Sequence, residues 1–372
     1  MNKVLIIGAG IGGCAAAIAF GQKGWHVTVI DRSPNIFTEG AGILLYSNAL
    51  KTCQYLNVLD SVISEGFVMQ GKTKFYDHNS QLLGHVNYYS IDIHYPAYIG
   101  INRNQFLNIL YKKSVDLGCV YHFNFNAELV RGIDFQLKIN GPMNFTNRDF
   151  DLIVAADGTN SKIRNLLWSD TQSKYSGFGL YHSMHQRHSL IDEKITVVMP
   201  DRRFGIIPMS NDQMYIWASL KEPVKRFIAR SDQPKTMHDE FCQVSGFLSE
   251  IIEDIKSNTY VHYTAVEEVS VNSDWHIDNI VLLGDAAHAS VPFMAQGGAM
   301  ALEDARILVE NVNNCSNIAV GLSSYKNLRK PVVDFVQKTS NAIGAGYQNA
   351  SVDLFKIENN LKYFYNQSGF FK

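Results

Sequence analysis

Hydrophobic and polar positions along this chain fall into two rhythms. Four short, mainly apolar runs, Val4–Ile7, Val27–Ile30, Leu152–Ala156 and Val281–Leu283, broken only by Thr28, have the length and branching of buried strands. Between the first two lies an Ala-rich stretch that ends near Gly24, so residues 3–31 read as strand, turn, helix, strand. After the last run, Ser290–Gln296 loops around Pro292, and a helix is expected from Gly297 to Val312. Its apolar positions Ala301, Leu302, Ala305, Leu308, Val309 and Val312 recur at three- and four-residue steps, with Glu303 and Asp304 near its start. Residues 204–220, FGIIPMSNDQMYIWASL, alternate about a Ser-Asn-Asp turn and predict a hairpin. Met214, Ile216 and Ala218 should share one face, with Tyr215 and Trp217 on the other.

The punctuation after these runs carries chemistry. Gly8, Gly10 and Gly13 stand at G-x-G-x-x-G spacing, and Asp31 follows 18 residues after Gly13. Gly8 permits a sharp turn, Gly10 lets backbone approach a pyrophosphate, and Gly13 lets helix and strand pack closely. The helix start offers free N–H groups, and an acid about 20 residues on suits a ribose hydroxyl. Dinucleotide binding is expected, with NAD and FAD not yet separated. The third run ends in Asp157-Gly158, with Ser161 and Arg164 at D-G-x-x-S-x-x-R spacing; Asp-Gly is also a common turn pair. The fourth presents Asp285 at its tip, facing the bare backbone of Gln296-Gly297-Gly298.

Composition narrows the partners. The 372 residues are 46% hydrophobic and 18% charged, which fits two to three domains' worth of core. A net charge of −2, without a Lys/Arg run, argues against nucleic acid and an anionic membrane surface. Five scattered cysteines without C-x-x-C fit reduced thiols in a cytoplasmic protein. The opening glycines suit a tight turn better than a signal-peptide helix, and no stretch approaches about 18 unbroken apolar residues.

The three fingerprints in this order, with the phrasing PFMAQGGAMALEDA at 292–305, resemble the FAD-dependent aromatic hydroxylases, single-component monooxygenases of the para-hydroxybenzoate hydroxylase fold. The phrasing is similar to the branch with salicylate, 3-hydroxybenzoate and 6-hydroxynicotinate hydroxylases, and the motifs span residues 4–306. The resemblance implies an α/β protein: a Rossmann-like FAD-binding domain with an inserted, mainly antiparallel β-sheet substrate domain. We assign 1–70, 99–172 and 275–331 to the former and 71–98 with 173–274 to the latter, followed by a C-terminal helical segment, 332–372; the helical pattern of the tail is expected to start at Pro331. Gly8, Gly10, Gly13 and Asp31, with Ile11, Gly12 and Arg32 beside them, would hold the ADP half of FAD. Arg103 would contact the flavin side, Asp157-Gly158 would lie near the pyrophosphate, and Asp285 would bind ribityl hydroxyls. Pro292, Gln296, Gly297, Gly298 and Ala299 would meet the pyrimidine edge of the flavin, where a helix N-terminus stabilises negative charge.

The implied activity is hydroxylation of a small aromatic or heteroaromatic substrate with O₂ and NADH or NADPH, through a flavin hydroperoxide. A tetracycline-type polycyclic substrate, or a non-hydroxylating flavoprotein, is the alternative. A monomer or homodimer is expected. Candidate pocket residues are Tyr46, His182, Pro208, Tyr215, Trp217, Pro292 and Phe293. The chain departs from the family pattern in three places, the first being Ala295-Gln296-Gly297 where the family often shows Gly-Gln-Gly. Leu44, Leu45 and Tyr46 replace polar residues after the 40–43 segment, which leaves no catalytic base to name. Tyr181-His182 stands where relatives carry Trp-Arg. His182, His185 and His188 do not all share one strand face and lack companion carboxylates, so no metal site is expected. His288 is read as a loop-ordering hydrogen-bonder.

Overall fold

The computed structural model describes residues 1–36, 42–88, 95–125, 128–131, 137–140, 142–169, 171–257, 260–346 and 353–367. Parts of the 71–98 insert (89–94) and of the C-terminal segment (347–352 and 368–372) lie outside the described residues, as do positions 40 and 41.

The apolar runs form one six-stranded sheet in the order His276–Ile277, Ile280–Leu282, Leu152–Ala155, Lys3–Ile7, His26–Ile30, Val120–His122. All neighbours run parallel except the edge hairpin at His276–Ile277. Ile7 lies opposite both Ala155 and Ile30, and Ala155 lies opposite Leu282. Four adjacent strands therefore end level with one another. In an open parallel sheet, the crevice beyond such carboxyl ends is where ligands collect.

Helix Ile11–Gln22 leaves the first strand and is buried without a break from Gly13 to Phe20. It packs against helices Arg103–Asp116 and Gly297–Asn314 as well as the sheet, so an all-round apolar surface is what its position requires.

A seven-stranded sheet takes its strands from Lys72–Asn87 and Lys174–Glu268. Its 202–208/213–221 hairpin has the expected faces. Met214, Ile216 and Ala218 pack with Met237, Phe241, Leu248 and Ile251 under helices Gln233–Phe241 and Phe247–Ser257. Tyr215 and Trp217 point the other way, with Ile207 and Met209. A three-stranded sheet, Gly42–Tyr46, Tyr98–Asn102 and Phe67–Met69, bridges the two larger units. Gly42 lies against Met209 and Tyr215 of one, and Ile43 against Gly298 of the other.

Pro331 does not open a helix. It sits inside a continuous helix, Ile318–Ala345. Pro331 is exposed, so the carbonyl it deprives of a partner faces water. Buried Tyr325 and Arg329 before it, and Val333 and Val336 after it, hold both halves on the core. Among the described residues no helix is long and apolar enough to cross a membrane.

Candidate functional site

Two cavities meet at the level strand tips. The smaller, about 370 Å³, runs past Gly8, Gly10, Asp31, Arg32, Asp157 and Gly158. The larger, about 400 Å³, lies between the parallel sheet and the cavity face of the antiparallel sheet. Gly10, Arg103, Ala156 and Gly158 belong to both walls, so the pair forms one elongated groove.

Glycine shapes this groove in two opposite ways. A Cβ on Gly8 would overlap the Ala156 carbonyl, and one on Gly13 would overlap the Gly8 carbonyl. Both positions are bare because backbone needs the room, and Gly8 also takes φ +109°. Gly10 and Gly297 are bare for another reason: a Cβ there would meet nothing within 4 Å, and the same space is open beside Gly158, whose φ of +81° calls for glycine in any case. Their free side opens onto the groove.

The three fingerprint turns are tied to each other from below. The Asp31 carboxylate accepts from Ala9 N and Ser33 N, both at 2.7 Å, and fixes the first turn. Asp157 accepts from Lys162 N at 2.8 Å, which caps helix Lys162–Leu167, while its other oxygen, Oδ1, is buried without a partner. Burial pushes the Asp157 carboxyl up against these hydrogen bonds. Arg164, fully buried, donates to Thr159 O at 2.8 Å and Ala286 O at 3.0 Å, joining the second fingerprint to the third.

Asp285 opens a four-residue helix, Asp285–His288, and is exposed to the larger cavity. Behind it, Asp304 accepts from Gly284 N at 3.0 Å, His288 Nε2 at 2.6 Å and Arg329 Nε at 2.6 Å. Arg329 also meets Glu303 at 2.8 Å. Burial alone would raise the Asp304 carboxyl, but His288 and Arg329 outweigh it and hold it at about 2. Glu303, with burial dominant, is pushed up to about 7. His288 is thus a buried partner of this network, the loop-ordering position expected of it. Helix Gly297–Asn314 begins without a side-chain cap, leaving the N–H groups of its first turn without intrahelical partners, and Gly297 and Gly298 face the cavity. Gln296 is buried and accepts from Asn48 Nδ2 at 2.9 Å; Gln296 Nε2 and Asn48 Oδ1 are left without partners.

Over the larger cavity stand His182, Tyr215, Trp217, Pro292 and Phe293, together with Arg103 and Lys194. Trp217 lies flat over Gly205, where a Cβ would collide with the indole. His182 Nδ1 and the Tyr215 hydroxyl are hydrogen-bonded. Burial first, then the nearby Arg103 and His262, push His182 down to about 3, so its ring is neutral across ordinary pH. Burial raises the Tyr215 phenol well above its ordinary value.

Not every expected residue reaches the groove. Tyr46 is buried against Tyr88 and Tyr98, with its hydroxyl 3.2 Å from Lys194 Nζ, and touches the cavity only through that lysine. Pro208 ends its strand with its carbonyl against Gly100. Gly13, Gln296 and Ala299 support the walls without lining them; Ile11 and Gly12 line the larger cavity. His185 bonds Ser183 at 2.8 Å and His188 lies near Glu250 at 3.7 Å. Among the described residues no three His, Cys, Asp or Glu side chains gather around one metal position. Asn48 and Lys194 were not anticipated. The alternation in EKITVV carried a signal for the latter, since Ile195 and Val197 face the helix layer and Lys194 the opposite side.

The family model described as "FAD binding domain" matches residues 1–340. The 2-heptyl-3-hydroxy-4(1H)-quinolone synthase of Pseudomonas aeruginosa is 28% identical over 347 residues, covering 92% of this chain and 88% of its own length. The aurachin C monooxygenase/isomerase of Stigmatella aurantiaca is 26% identical over 358 residues, 93% of this chain and 88% of its own. Among solved structures, Klebsiella pneumoniae HpxO complexed with FAD and uric acid matches with a TM-score of 0.81, over 99% of this chain and 94% of that one, at 19% identity.

Proposed function

The chain belongs to the FAD-binding-domain family and has the fold of the FAD-dependent aromatic hydroxylases, and from that premise we propose that it is a monooxygenase that consumes NADH or NADPH and O₂ to hydroxylate a small aromatic or heteroaromatic ring. The observation that carries the reading is the continuous groove, with glycine-bared backbone along one wall and aromatic side chains over its wider end.

The residues present fit FAD. The open sides of Gly10 and Gly158 leave room for phosphates beside the free N–H groups of helix Ile11–Gln22. Asp31 retains lone pairs for a ribose hydroxyl after its two backbone bonds. The unpartnered Asp157 Oδ1 and the exposed Asp285 carboxylate are acceptors suited to sugar or ribityl hydroxyls. The uncapped helix start at Gly297 suits the electron-rich edge of the flavin. When bound, FAD supplies the redox chemistry, reduction by a nicotinamide and activation of O₂.

The chain's own residues supply position and dryness. Tyr215, Trp217 and Phe293 offer flat apolar faces for a ring, and Leu180 and Ile207 exclude water from it. His182 stays neutral, so it orients the Tyr215 hydroxyl as donor or acceptor without adding charge. By this reading residues 71–98 and 173–274 form the substrate-binding unit. The quinolone in the name of the Pseudomonas aeruginosa relative, and the uric acid held by HpxO, favour a fused heteroaromatic substrate.

The test is an NADH- and NADPH-consumption screen over hydroxybenzoates, hydroxypyridines, hydroxyquinolines, purines and tetracyclines, with products weighed. A ring compound that accelerates consumption and gains one oxygen atom supports the proposal. Substrate-independent consumption that yields only hydrogen peroxide across the panel contradicts it.

A further inference from the structure

Lys194 immediately precedes strand Ile195–Met199, on the face turned away from the helix layer. It is 8% exposed and forms part of two walls: that of the larger cavity, and that of a third cavity of about 350 Å³ behind it. The two spaces share Lys194, Trp217 and Phe293. Around the ammonium stand aromatic groups. Nζ lies 3.2 Å from the Tyr46 hydroxyl, and 5.8 Å and 5.5 Å from the ring centres of Tyr46 and Tyr88.

Among the described residues no carboxylate pairs with it. Its neighbour Glu193 is engaged elsewhere, accepting from Gln70 N, Lys72 N and the Tyr98 hydroxyl. The other charged groups on the two walls are Arg103 and Asp285 on the first, and Arg203, Asp353 and Lys356 on the second. An ammonium taken out of water needs a counter-charge or several acceptors, and two ring faces with one hydroxyl compensate it only in part. A wall that needed only shape would be served by methionine. The missing complement is therefore sought in what enters the cavity.

We propose that Lys194 is the anchor for an anionic oxygen carried by the aromatic substrate, a ring oxide or a ring carboxylate, and that it thereby sets which edge of the ring turns toward the flavin. This rests on reading the larger cavity as the substrate cavity. It also fits the replacement of the relatives' Trp-Arg pair by Tyr181-His182, because His182 is neutral and leaves the cationic task to another strand.

The test uses the FAD-loaded protein and two matched probe pairs, pentafluorophenolate with pentafluorobenzene, and benzoate with benzamide. Binding is read as perturbation of the flavin absorbance. At neutral pH one anion should bind about ten- to a hundred-fold tighter than its uncharged partner. The pair that shows the preference tells ring oxide from carboxylate. Lys194→Met should abolish the preference while changing the uncharged probe's affinity less than about two-fold, and Lys194→Arg should retain part of it. In the unaltered protein, affinity for the anion should fall as pH rises above about 8, where burial has brought the ammonium, while that of the uncharged probe stays flat. An anion preference that is absent, or that survives Lys194→Met, overturns the assignment and leaves the cavity reading standing. Failure of all four probes to perturb the flavin overturns both.

Discussion

Two glycines three residues apart, Gly10 and Gly13, make opposite demands, and substituting each by alanine separates a packing role from a binding one. Gly10 caps helix Ile11–Gln22 with φ −72° and ψ −174°, an ordinary extended conformation, and its added Cβ would touch nothing within 4 Å. Gly10→Ala should therefore leave the FAD-free fold as stable as before, or more stable by about 0.4–1 kcal/mol through a less free unfolded chain. The methyl would instead occupy the groove where both cavities join. If it holds a phosphate off even one backbone N–H, about 1.5–3 kcal/mol is lost, a ten- to hundred-fold weaker FAD affinity. Gly13→Ala is the reverse case. Its methyl would overlap the Gly8 carbonyl, backbone against backbone, so overpacking should lower stability by about 1–3 kcal/mol or more before any ligand is added. Urea unfolding of the FAD-free proteins and fluorescence titration with FAD measure the two quantities. Wild-type FAD affinity in Gly10→Ala, or a loss of stability equal to that of Gly13→Ala, would refute the reasoning.

Three further outcomes follow from the same geometry. Burial brings the Lys194 ammonium from 10.5 to about 8, so below pH 8 both folded and unfolded chains are charged and the folded one bears the whole penalty. Unfolding curves should show Lys194→Met more stable than wild type at pH 7 by on the order of 3 kcal/mol. That advantage should shrink as pH climbs from about 8 toward 10.5, where the unfolded chain binds more protons; a pH-independent difference would contradict it. Asp304→Asn leaves Arg329 and His288 facing a weaker partner, and urea midpoints should report a loss of about 3–5 kcal/mol; near-wild-type stability would show that the network is not held by charge. Gly205→Ala pushes the Trp217 indole into the cavity, so flavin titrations should find FAD affinity kept but ring-probe affinity weakened about ten-fold or more; unchanged probe affinity would place the ring elsewhere.

The fold was legible wherever burial imposed a period. The four apolar runs became strands within a residue of their expected ends, because a parallel sheet covered on both faces favours near-continuous apolar sequence. The hairpin faces were legible for the complementary reason, since one face packs on helices and the other on a cavity. Pro331 misled because local helix-breaking chemistry was outweighed by anchors on either side, and those anchors come from residues far away in sequence. The groove's glycines could be found from spacing, yet spacing does not tell a glycine that makes room for backbone from one that makes room for a ligand. Tyr46 and Pro208 were expected on the wall because they are aromatic or rigid and flank the right strands. Side-chain direction moved them behind it. Lys194 escaped for the opposite reason, as a charged residue beside another charged residue normally marks a solvated strand end.

In the proposed function, adjacent strand tips and the start of helix Gly297–Asn314 form a single receptor for FAD. Titration of the FAD-free protein with FAD, followed by the change in flavin absorbance and fluorescence, tests it most directly. A saturable transition at one FAD per chain, weakened by Gly10→Ala and by replacement of Asp285, is the expected result. A well-folded chain whose added FAD keeps the spectrum of the free cofactor would contradict the account.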